Sequence, residues 1–178
     1  MKKNVLIFGS IAGIIVSAFM FVSMLMLSKD PNFEGSMLVG YTAMLVAFSF
    51  VFVGIKNFRD KYNNGFISFG KACKVGLFIS LIASTMYVIT WLIELNFFIP
   101  NFMELYTNHV LDHAKASGVT AAELDKQVAE MASYKEMYKN PLFVILLTYL
   151  EILPMGILVT LISALILKKK DKSQTQIA

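Results

Sequence analysis

Apolar residues along this chain fall into four long runs, with polar residues confined mostly to the segments between them. The first run extends from Val5 to Leu27, after Met1-Lys2-Lys3-Asn4 and before Ser28-Lys29-Asp30-Pro31-Asn32. The second covers Met37 to Ile55 without a charged residue, and the third extends from about Val75 to Phe98, ahead of Pro100. The fourth opens after Asn140-Pro141 and continues to Leu167, where Lys168-Lys169-Lys170 stop it. At about 1.5 Å of rise per residue, runs of about 20 residues match a hydrocarbon core of roughly 30 Å. The first run exceeds the roughly 7–15 apolar residues of a secretory signal, and no small-x-small cleavage site follows it. The pattern predicts an all-α integral membrane protein with four transmembrane helices, spanning about 5–27, 37–55, 75–98 and 142–167 within a single membrane domain, 1–178. Proline at the head of the fourth costs little, because its missing N–H has no helical partner at that position.

The stretch from about 100 to 140 lies between the third and fourth runs. Asn101 to Ala116 can form a helix, and Ser117-Gly118-Val119 breaks it. Thr120-Ala-Ala-Glu123 has the form of a capping box, and Leu124, Val128, Met131, Tyr134 and Tyr138 then recur at helical spacing. A helical hairpin over one mouth of the bundle is expected, its apolar stripe packed on the partner helix or on headgroups.

Composition agrees with the pattern. Hydrophobic residues make up 57% and charged residues 16% of the 178, against about 45–50% and 25% in soluble domains. Charge adds orientation. Lys2 and Lys3, then Lys56, Arg59, Lys61, Lys71 and Lys74, then Lys168, Lys169, Lys170 and Lys172 all fall on one side of a four-span arrangement. They are eleven of the sixteen basic residues. The 94–140 segment instead has seven acids against four lysines. Positive residues stay in the cytoplasm, so both termini and the 56–74 loop are expected inside and the hairpin outside. Cys73, the only cysteine, permits no intramolecular disulfide; a reduced, buried thiol is expected there.

Several segments resemble a known family. They are Gly54-Ile-Lys-Asn-Phe-Arg-Asp-Lys61, Gly65-Phe-Ile-Ser-Phe-Gly70, the Tyr87 to Trp91 stretch, Ile99-Pro-Asn-Phe102, Lys135-Glu-Met-Tyr-Lys-Asn-Pro141 and Glu151-Ile-Leu-Pro154. The family is the bacterial membrane-protein family catalogued as domain of unknown function 4199, and the resemblance covers most of the chain from Gly40 to Lys170. It implies a small multi-span inner-membrane protein and carries no activity over to named residues.

Few residues offer chemistry. Glu151 lies ten residues after Pro141, so about 15 Å of helix separates it from the end of its span. An acid at such depth costs about 2.5–3.5 kcal/mol on insertion scales and is usually protonated, paired or turned to a wet cavity. Pro154, one turn on, removes a backbone hydrogen bond and favours a kink. Together they form a candidate proton or ion site, or else a protonated glutamate that bonds a neighbouring helix as packing glue. Counted from Lys74 and Lys168, Glu94 and Glu151 come within about one helical turn of the same depth. Glu94 is therefore a candidate companion, or an acid that ends its span in wet headgroups.

His109 and His113 share a helix face and could chelate a metal with Glu104, Glu123 or Glu130 as third ligand. The default is a solvated face, and the general-base glutamate of zinc proteases is absent after His109. Lys56, Arg59, Lys61, Lys71 and Lys74 alternate with Phe58, Tyr62, Phe66, Ile67 and Phe69 around an Asn63-Asn64-Gly65 turn. Between two spans, this mixture fits anionic lipid headgroups, as do residues 168–172, and nucleic acid is not expected. Gly9 and Gly13, Gly76, and Gly156 head small-residue stripes for helix packing, serving the bundle or a homo-oligomer. No phosphate-binding loop, nucleophile elbow or kinase signature occurs, and no cofactor is expected. The expectation is a non-enzymatic structural or accessory component of the bacterial inner membrane, with a small proton-linked transporter or permease using Glu151 as the alternative.

Overall fold

The computed structural model describes residues 1–29 and 37–169, with backbone alone at 27–29 and 37. The turn expected at Asp30-Pro31-Asn32 and the tail residues Lys170, Asp171 and Lys172 lie outside the described residues. Six α-helices follow in order: α1 Lys2–Lys29, α2 Met37–Tyr62, α3 Phe69–Ile93, α4 Phe102–Ala116, α5 Ala121–Tyr138 and α6 Pro141–Leu167. A π-helical turn, Glu94–Phe98, prolongs α3. No strand occurs among the described residues; Ile67 and Lys169 form an isolated bridge.

Four stretches are long and apolar enough to cross a membrane: Lys2–Met26, Leu38–Tyr62, Phe69–Phe98 and Pro141–Leu167. All are longer at one end or both than the apolar runs alone. α2 continues through Lys56, Arg59 and Lys61, and α3 starts at Phe69, where the Ser68 side chain accepts a hydrogen bond from the Lys71 N–H. Helix hydrogen bonding is indifferent to where the hydrocarbon stops, so a count of apolar residues ends each helix too soon.

The four long helices form one bundle. α1 packs on α2 and α3, α6 packs on the same two, and α2 meets α3 across the middle. Gly9 faces Ile82 and Gly13 faces Met86, an ascending match that makes α1 and α3 parallel. Gly76 faces Thr160 and Gly156 faces Ser80, which makes α3 and α6 antiparallel. All four glycines thus sit at helix contacts within the chain. Ala12, Phe48, Val51, Ile55, Ile79 and Ile152 fill the core, each fully buried. Leu38, Leu150 and Ile166, by contrast, are 77%, 71% and 66% exposed, as side chains that meet lipid should be.

Most basic residues gather at one end. There the Asn4 side chain donates to the Gly54 carbonyl at 2.9 Å, Arg59 to the Leu167 carbonyl at 3.4 Å, and Ile67 and Lys169 bond through their backbones. The Asn63-Asn64-Gly65 turn is built with φ of 52° at Asn64 and 79° at Gly65, a left-handed conformation that asparagine and glycine tolerate best. Lys71 lies 5.6 Å from the Phe58 ring centre and Lys169 5.5 Å from that of Phe66. At the other end, α4 and α5 form the hairpin, and α5 leans on α6. Thr120 caps α5 by accepting from the Glu123 N–H at 3.3 Å. Asn140 caps α6 by accepting from the Leu142 N–H, with Pro141 in the first turn. The stripe on α5 is only partly packed: Met131 is buried, whereas Val128 and Tyr134 are exposed.

Candidate functional site

Where the bundle meets the hairpin, the side chains between helices become aromatic. Trp91 of α3 meets Phe102 of α4 edge to face at 4.8 Å, and Phe102 stacks on Tyr106 at 5.8 Å. Tyr138 of α5 lies 6.1 Å from Phe102 and 6.3 Å from Phe143 of α6. Rings at these separations attract through complementary edges and faces. They hold the hairpin onto the bundle without closing the space beneath it.

That space is a cavity of about 200 Å³. Met20 and Met24 of α1, Tyr87 and Trp91 of α3, Phe102, Tyr138, and Leu147, Thr148 and Glu151 of α6 line it. A second cavity, of about 270 Å³, adjoins it through the shared Phe102, Tyr138 and Leu147, and adds Met103, Tyr106 and Tyr134. Among the described residues, no basic residue lines either. Glu151 is the only carboxylate among the described residues on these walls, and it is exposed. The Thr148 hydroxyl is committed to its own helix, donating to the Val144 carbonyl at 2.7 Å. Burial pushes the Tyr138 phenol above its ordinary range, and the charge of Glu151 acts in the same direction.

Glu94 stands elsewhere. It is 1% exposed rather than wet among headgroups, and neither carboxylate oxygen has a hydrogen-bond partner among the described residues. The helix does not end at Glu94 but widens there into the π-turn, whose Ile99 N–H donates to the Glu94 carbonyl at 2.8 Å. A π-turn inserts a residue into the helical ladder and so alters which side chains face inward. Phe98 of the same turn meets Phe21 of α1 edge to face at 5.1 Å.

The expectation that the two acids lie within about one helical turn in depth is also corrected. Gly76 beside Thr160, Ser80 on Gly156 and Thr85 on Tyr149 fix the antiparallel register of α3 and α6. That register sets Glu151 level with Ser84 and Thr85, about nine residues and ~14 Å of rise short of Glu94. Lys74 and Lys168 are not at one level, because α3 begins at Phe69 and its leading Ile67 is the residue that bridges Lys169. Pro154 lies within α6, which continues as α-helix on both sides of it; its ring leaves the Leu150 carbonyl without the usual helical donor.

His109 is half-buried and His113 exposed on α4. The described residues hold no group of three His, Cys, Asp or Glu side chains able to share an ion. Cys73 is free and half-buried at the basic end. Tyr87 and Trp91 stand out in sequence as the turns before Glu94, yet the structure joins them to Glu151. Met20, Met24, Phe102 and Leu147 carry no local signal of a site, since only the folded bundle turns them to a common space.

No curated protein and no solved structure matches this chain. A family model does match it, over residues 7–169, and the chain accordingly belongs to the family described as protein of unknown function (DUF4199).

Proposed function

We propose that this protein is a small transporter or permease, not an enzyme, and that it binds a small solute in the cavity beneath the hairpin with Glu151 as the group that exchanges a proton. The observation that carries this reading is the position of Glu151. Among the described residues, it is the one acid on the walls of an aromatic cavity that no basic residue lines. An ionisable group inside a span is expensive, and when it faces a cavity it marks a substrate or proton path more often than a packing contact. The other titratable groups among the described residues on these walls are tyrosines.

The orientation that supports this role has both termini and the 56–74 loop in the cytoplasm of a bacterial inner membrane, with the cavity towards the outer face. The cluster of lysines at one end and the acidic hairpin at the other support that orientation. Anionic headgroups are the partners of the basic end, where Lys71 and Lys169 sit over aromatic rings in the manner of an interfacial anchor.

The test uses Trp91, the chain's only tryptophan. Its emission, followed against pH in purified protein carrying Glu94→Gln, should show a titration that disappears when Glu151→Gln is added. Superimposable profiles with and without Glu151 would remove the proton-exchange reading. A second reading, an accessory component that docks another membrane helix, draws on Leu142, Leu146 and Leu150, a row on α6 exposed by 61%, 56% and 71%. It requires Glu151→Gln to be silent in cells and substitutions along that row to be disruptive.

A further inference from the structure

Resting on the reading of Glu151 as the ionisable group of a solute site, the geometry points to the class of the occupant: an organic cation with an apolar body, its charged head beside Glu151 and its body lying along the rings of Phe102, Tyr106 and Tyr134. The two cavities share Phe102, Tyr138 and Leu147 as walls, and the proposed occupant extends from one into the other past these side chains. Among the described residues, only the first holds a carboxylate, and neither holds a Lys, Arg or His side chain. An anion would meet uncompensated negative charge, whereas a cation would neutralise it.

Aromatic faces extend the preference. Tyr87, Trp91 and Tyr138 share the cavity with Glu151, and the negative face of each ring attracts a positive head that has no hydrogen to donate. A quaternary ammonium or a pyridinium therefore loses little when it leaves water here. The Thr148 hydroxyl is already bonded within α6, so the polar groups these walls offer are the Glu151 carboxylate, the tyrosine hydroxyls and the Trp91 N–H, set among methionine, leucine and ring surface. A bare metal ion fares worse, for among the described residues no second carboxylate or imidazole lines the cavity with Glu151. The volumes of about 200 and 270 Å³ suit a ring-sized head and a short apolar tail.

N-hexylpyridinium is a suitable probe, since it has that shape and its ring quenches tryptophan on contact. Full-length protein in nanodiscs of phosphatidylcholine should show saturable quenching of Trp91. Glu151→Gln should weaken the apparent affinity by about tenfold or more, and Glu151→Asp, which keeps the charge, should retain most of it. Phe102→Leu should weaken it as well, and quenching by neutral acrylamide should be the same in every variant that has folded. The neutral isostere hexylbenzene should not compete. Three results overturn the proposal: quenching that never saturates in the native protein, equal affinity in the Gln and native forms, or competition by hexylbenzene as strong as by unlabelled cation. The last would reject the cation while leaving a solute site in place. The proton-exchange reading stands or falls separately, on the ligand-free pH profile of Trp91.

Discussion

Ser80 on α3 donates its hydroxyl to the carbonyl oxygen of Gly156 on α6 at 3.1 Å, and its oxygen lies 3.2 Å from that of Thr160. All three residues are buried. The contact depends on glycine: a Cβ at 156 would come 2.8 Å from the Ser80 Cβ, too close for either backbone to keep its place. Small residues that admit a polar bond between helices hold membrane bundles together where the hydrophobic effect cannot.

Gly156→Ala should therefore lower stability by about 1–3 kcal/mol, the usual cost of overpacking. Gly40→Ala, where a Cβ would meet nothing within 4 Å, should be neutral or stabilise by no more than about 1 kcal/mol. Thermal unfolding of the two purified variants in detergent checks the contrast. Equal melting points would mean that α3 and α6 are not in contact through Gly156.

Ser80→Ala removes the bond and leaves the space. Its cost should be small, about 0.6 kcal/mol and at most ~1.7, as for other hydrogen bonds between membrane helices. Asn4→Ala should fall in the same range, about 0.6–1.7 kcal/mol, because Asn4 makes a comparable bond to the Gly54 carbonyl. A denaturation series in mixed micelles measures both.

Glu94 invites the opposite outcome. Its two carboxylate oxygens are buried without partners among the described residues, so an apolar side chain of similar length should serve the fold better. Glu94→Met should raise stability by about 1–3 kcal/mol, the desolvation cost of an unsatisfied polar group. If the melting temperature drops instead, Glu94 has a partner that compensates it. Retention of a destabilising acid is characteristic of positions under functional demand.

His109→Ala combined with His113→Ala should change stability by less than about 0.5 kcal/mol, as surface substitutions generally do. Added zinc should leave the melting curve of the native protein where it is, since among the described residues no third ligand joins the pair. A zinc-dependent rise that disappears in the double variant would restore the metal site.

Reporter fusions test the orientation. A reporter active only outside the cytoplasm should work when fused near Gly118 and stay silent near Asn64 or after Lys172. The reverse pattern would invert the assignment of the cavity to the outer face.

Much of the fold was legible because lipid enforces simple rules. Long apolar runs, Asn-Asn-Gly at 63–65, Thr120 before Ala-Ala-Glu and Pro141 at a helix start each announce a local structure that the helices and turns display. What needed the fold was relative height. Counting from lysines put Glu94 and Glu151 together, because charge marks the region where a span ends but not the residue at which its helix begins. The cavity was hidden for a related reason. Met20, Phe102 and Leu147 are ordinary apolar residues on three helices, and their convergence follows from crossing geometry and from the hairpin's lean, which no local pattern records. Buried Glu94 opens a π-turn, and π-turns have no reliable signature in spacing.

The parallel pairing of α1 with α3 also has a bearing on biosynthesis. The Gly9 and Gly13 face is completed by Ile82 and Met86, residues that leave the ribosome some seventy positions later. Until then the first two spans wait in the membrane with that groove open, and an insertion machine or lipid must shield it. The chain is thus assembled by deferred closure: the first helix is finished by the third, and the last helix completes the walls of the cavity.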